Sequence, residues 1–101
     1  MTDKQIKERD DILSSNIIKW CIAYYDMFTC YTVYSCYQKV YDHKALSSAY
    51  NAECNTMLRR ASKFREFLTD ECYNNVCNSI RELRDEYYMN VKKCLKEDGL
   101  L

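Results

Sequence analysis

The chain has 101 residues, with 15 basic and 15 acidic side chains, one Gly, no Pro, seven Cys, ten Tyr and a single His. So few turn formers argue against a hairpin-built β architecture, and a 48% apolar share argues against disorder. Zero net charge argues against generic nucleic-acid binding, which depends on phosphate neutralisation. What remains is a single all-α domain over residues 1–101, long enough to bury a core without staples.

The first eleven residues are polar. They hold no apolar run and carry Asp3, Glu8, Asp10 and Asp11, so neither a secretory signal nor an acid-poor mitochondrial presequence is expected. From about Asp3 to Tyr41 the apolar residues Leu13, Ile17, Cys21, Tyr24, Phe28 and Tyr31 recur every three or four positions, which is one face of a helix. Ser14-Ser15-Asn16 favours caps over helix interiors, so a break there would turn three helices into four. The most apolar window, residues 17–41, is interrupted by Lys19 and Asp26, which favours a buried helix over a membrane span. Tyr31 to Tyr41 is also rich in strand formers, but a lone strand has no partner here and helix is expected.

Asp42-His43-Lys44 reads as the first turn. Ser47 or Ser48 is expected to cap a second helix, carrying Leu46, Tyr50, Cys54, Met57, Ala61, Phe64 and Leu68 on one face. Thr69-Asp70-Glu71 reads as a cap followed by acids in the first turn. The third helix carries Cys72, Val76, Ile80, Leu83, Tyr87, Val91 and Cys94 or Leu95, with Gly99 where a left-handed residue closes a helix. The expected architecture is a small antiparallel bundle of amphipathic helices, three or four in number.

The cysteines are odd in number, so at least one thiol is free or pairs between chains. They form no Cys-x-x-Cys pair, and with one His no metal site is expected. At about 100° per residue, Cys21 and Cys30 face opposite sides of a helix. The twin Cys-x9-Cys helical proteins of the mitochondrial intermembrane space have nine residues between paired cysteines, whereas eight separate Cys21 from Cys30, so the spacing does not match. Cys21, Cys54, Cys72 and Cys94 fall on core stripes, where thiols pack as small hydrophobes. Cys30, Cys36 and Cys77 lie off them and are expected to be accessible.

Catalytic and cofactor patterns are absent from the sequence: no Gly-rich phosphate loop, no His-Glu-x-x-His, no Cys-His pair with an orienting third group. Arg59, Arg60, Lys63 and Arg65 are diluted by Glu66, Asp70 and Glu71 and read as a solvated face. Arg81 to Glu86 reads likewise. The tyrosine surplus is the remaining signal, since exposed tyrosines are the composition of an interface. The reading is therefore a non-enzymatic intracellular, cytoplasmic protein that binds another protein as an inhibitor, adaptor or accessory subunit, of the kind found among small viral and phage proteins. Its expected binding residues are Tyr24, Tyr25, Tyr31, Tyr34, Tyr37 and Tyr41. A homodimer is compatible with this reading, while nucleic-acid and membrane partners are not expected. Two alternatives stay open: a disulfide-stapled assembly subunit of an oxidising compartment such as the mitochondrial intermembrane space, and a thiol-based redox protein.

Overall fold

Thr2 opens the first helix. Its hydroxyl accepts from Gln5 N–H while the Gln5 side chain accepts from Thr2 N–H, so two of the unpaired amides at the helix start are satisfied reciprocally. In the computed structural model, which describes residues 1–39 and 42–101, this helix, α1, runs without interruption over Asp3–Tyr37. The break considered near Ser14 does not occur: the Ser14 hydroxyl donates to the Asp11 carbonyl one turn back, so it is satisfied within the helix. The helix ends at Gln38, followed by Lys39 with φ +57°, a left-handed residue that serves without glycine.

Asp42 then accepts from Lys44 N–H at 2.9 Å and caps a short 3-10 turn, His43–Ala45, that leads directly into α2, Leu46–Ser62. The 3-10 turn replaces the expected serine cap at Ser47 or Ser48. The second helix also stops earlier than its apolar spacing suggested. A second 3-10 turn, Arg65–Phe67, follows, and Phe64 is left 42% exposed instead of in the core. Leu68, in extended backbone, returns to the interior.

The third helix, α3, spans Asp70–Glu97 and is capped as the sequence implies, with the Thr69 hydroxyl accepting from Cys72 N–H. At its end Gly99 adopts φ +74°, Leu100 N–H reaches the Leu95 carbonyl at 2.8 Å, and Gly99 N–H reaches the Lys96 carbonyl at 3.1 Å. These paired bonds satisfy carbonyls that the last turn leaves without partners.

The chain is thus all-α among its described residues, with three helices packed together in a rod of 55 × 20 × 17 Å. The core is built from Ile17, Cys21 and Tyr25 of α1, Tyr50, Cys54, Met57 and Ala61 of α2, and Val76, Ile80, Val91 and Leu95 of α3. Burial of each large member contributes about 1.5–3 kcal/mol. None of the described helices is long and apolar enough to cross a membrane.

Polar contacts also tie the long helices together. The Asp10 carboxylate accepts from both the Thr69 amide and the Thr69 hydroxyl, and the Tyr25 hydroxyl donates to the Ile80 carbonyl. Tyr87, on α3, hydrogen-bonds the Asp26 carboxylate of α1.

Candidate functional site

The buried arc of α1 is wider than a single stripe, because α2 and α3 both pack against it. Tyr25 lies only about 40° around the helix from Cys21, and it is fully buried. It stacks on Tyr87 at 5.2 Å and lies parallel to Tyr50 at 6.5 Å, while Phe28 meets Tyr50 edge-on at 5.0 Å. Tyr88 packs at the edge of the same cluster, 6.0 Å from Tyr50. Thr29 and Tyr50 share a hydrogen bond of 2.7 Å between their hydroxyls. Much of the tyrosine surplus is therefore core. Tyr25, expected at the binding surface, contributes nothing to it.

Tyr24 is half-buried: it bonds to the Glu53 carboxylate and its ring lies 5.7 Å from Trp20. Its hydroxyl pKa is raised, first by that hydrogen bond and then by burial. Tyr31, Tyr34 and Tyr37 are 68%, 65% and 45% exposed. The three- and four-residue spacing puts Tyr31 on the core stripe, but it stands about 80° from Cys21, at the edge of the buried arc; Thr32 occupies the inward position and is fully buried. Tyr41 lies outside the described residues.

With these tyrosines the structure groups Cys30, expected to be accessible, and three residues that sequence reasoning passed over, Trp20, Ala23 and Met27. Trp20, Ala23, Met27 and Cys30 are exposed on the same side of α1 as Tyr34 and Tyr37. Their positions step by three and four, the same signal that located the core, but on the opposite face. Reading only one such stripe per helix hid the second. Trp20 also forms one wall of a groove of about 570 Å³ with Leu13, Ile17, Arg60, Ala61 and Phe64, where the Arg60 guanidinium sits 5.3 Å over the indole. The basic cluster at the end of α2 is partly used in this way, and Arg65 covers the Tyr73 ring at 5.0 Å.

The thiols divide differently from expectation. Cys30 is exposed as expected, but Cys36 and Cys77 are buried, and Cys94 is exposed because Leu95 takes the core position beside it. Cys36 was misplaced for the same reason as Tyr25: it is only about 60° from Cys21, inside the wide buried arc. All seven cysteines are unbridged. Burial pushes the Cys21 thiol up to about 11, with Cys54 nearby adding to the effect, and burial also raises Cys36 and Cys72. These three resist forming the thiolate that redox chemistry requires. Cys72 lines a polar groove of about 580 Å³ between α1 and α3, where its thiol points to the Asp10 carbonyl at 3.8 Å.

Comparison of the chain with protein-family models, with curated proteins and with solved structures finds no match. The reading of function therefore rests on the surface itself.

Proposed function

We propose that this protein acts without catalysis, by binding another protein through the exposed face of α1, as an inhibitor, adaptor or accessory subunit. The observation that carries the reading is the run of Tyr31, Tyr34 and Tyr37, large amphipathic rings held in solvent by a rigid helix while their neighbours Thr32, Ser35 and Cys36 are buried. A ring displayed this way loses little conformational freedom on binding and offers both an apolar body and a polar tip. The bundle behind it is read as antiparallel. That reading is supported by contacts in which α1 numbers rise as α2 numbers fall: Trp20 with Arg60, Tyr24 with Glu53, Thr29 with Tyr50. A reducing, intracellular setting is supported by thiols used as core filler, with Cys21 and Cys54 fully buried and unbridged.

The test is affinity capture from the protein's own source, comparing the natural chain with Tyr34→Ala/Tyr37→Ala. A stoichiometric partner recovered by the natural chain and lost with the variant is expected, with circular dichroism unchanged. Equal recovery by both would move the interface off this face.

A further inference from the structure

We propose that a second copy of this chain covers the exposed face of α1, helix against helix and antiparallel, to form a two-fold dimer. This rests on the preceding reading of α1 as an interaction surface and names the partner.

Trp20, Ala23, Met27, Cys30, Tyr34 and Tyr37 are separated by three, four, three, four and three residues. That is the 3.5-residue period by which one helix packs along another. The fold leaves all six exposed, Met27 by 74% and Tyr34 by 65%. The opposite arc of α1, with Cys21, Tyr25 and Thr32 fully buried, already serves the bundle. None of the six is charged. Lys19 and Asp26 border the stripe with one charge of each sign, and Arg60 lies over Trp20 at one end, so the middle of the stripe is uncharged.

Side-chain size selects both the partner and its direction. Every second position of the stripe is large (Trp20, Met27, Tyr34), and the positions between are small (Ala23, Cys30) until Tyr37. A parallel pair places like against like, crowding the rings and leaving gaps between the small residues. An antiparallel pair with Met27 facing Cys30 of the other copy also sets Tyr34 against the other copy's Ala23, and Trp20 against its Tyr37. Large then fills small, and the last layer is aromatic on aromatic. A stripe that is complementary to itself when reversed is what a two-fold contact requires. Eighteen residues of helix span about 27 Å, a short interface, so association in the micromolar range is expected.

The test is sedimentation equilibrium on the full chain in reductant, from about 1 µM to about 1 mM, the range such a contact needs. A monomer–dimer equilibrium is expected. Met27→Glu should weaken it at least about tenfold, and Met89→Glu, at an exposed apolar site on α3, should not. A 1:1 mixture of Met27→Glu with Met27→Lys should recover a dimer. Orientation is read in a Cys30→Ser/Cys94→Ser background by oxidation with copper phenanthroline. Ala23→Cys and Tyr34→Cys proteins should cross-link when mixed and not when alone. A monomer throughout, a dimer indifferent to Met27→Glu, or efficient self-linking of either cysteine variant alone each overturns the proposal. A monomer that still captures a Tyr34-dependent partner removes the dimer and leaves the broader reading standing. A Met27-dependent dimer whose partner capture ignores Tyr34 and Tyr37 does the reverse.

Discussion

Asp10 and Thr69 are 59 positions apart, and one carboxylate holds both polar groups of the threonine. The amide donates at 3.1 Å and the hydroxyl at 2.6 Å, while that same hydroxyl oxygen accepts from Cys72 N–H to cap α3. The start of one helix is thereby fixed to the flank of another. Hydrogen bonds to an ionised acceptor contribute more than neutral ones, and leaving the donors unpaired adds to the loss. Asp10→Ala is expected to cost about 2–3 kcal/mol in urea denaturation, and Thr69→Ala about 1–2 kcal/mol. Asp11→Ala, one residue along and exposed, should stay within about 0.5 kcal/mol. The double variant Asp10→Ala/Thr69→Ala should cost less than the sum, because the two residues share their bonds.

Tyr25 and Tyr34 belong to the same helix but should respond differently to truncation. Tyr25→Ala empties a fully buried site packed against Tyr50 and Tyr87, for an expected loss of about 3–5 kcal/mol. Tyr25→Phe keeps the ring and removes only the bond to the Ile80 carbonyl, for about 0.5–1.5 kcal/mol. Tyr34→Ala should leave the denaturation midpoint within about 0.5 kcal/mol of the parent and act on association alone.

Thiol labelling should follow burial instead of position in the sequence. Under native conditions with reductant removed, Cys30 and Cys94 should react with a maleimide first. Cys21 and Cys54, both fully buried, should react on the order of a hundredfold more slowly, because they wait for the helices to open. Mass spectrometry of partly labelled protein separates the sites. Early labelling of Cys54 would mean that α2 detaches from the bundle readily.

Alkaline pH should destabilise the fold before it affects an ordinary helical surface. An unfolded cysteine titrates near 8.5 and an unfolded tyrosine near 10. In the folded chain Cys21 is pushed up to about 11 by burial, with Cys54 nearby adding, and Tyr87 to about 12 by burial and its bond to Asp26; Tyr25 is also raised. Each contributes stability that is fully present below its unfolded value and is lost as pH rises toward the folded one, since the unfolded state then binds fewer protons. The urea midpoint should therefore hold to about pH 8 and fall progressively through pH 9–11. Cys21→Ala, compared with the parent at each pH, should flatten the early part of that fall.

Much of the fold was legible in the sequence, because the signals for helices are local. Ile17, Cys21, Tyr50, Cys54, Met57, Val76, Ile80 and Val91 fall where a 3.6-residue period puts them, and all are buried. Thr69 and Gly99 cap α3 through chemistry that needs only neighbouring residues. The early end of α2 was less legible: the apolar spacing continues through Phe64 to Leu68, yet the chain leaves the helix at Ser62 and turns twice to bring Leu68 inward. Along the candidate surface, Tyr31, Tyr34 and Tyr37 were named from composition alone, whereas Trp20 and Met27 were not.

The sequence by itself determined the helical class, the approximate helices and most of their inward faces, since periodicity and capping act within a few residues. Only the tertiary structure decided how wide each buried face is. Two neighbours grip α1, so Tyr25 and Cys36 go inside with Cys21, and Asp10 finds its donors on Thr69, the cap of α3, 59 residues later. That width is set by packing between distant segments, and it leaves Met27, Tyr31 and Tyr34 in solvent, where a partner can reach them.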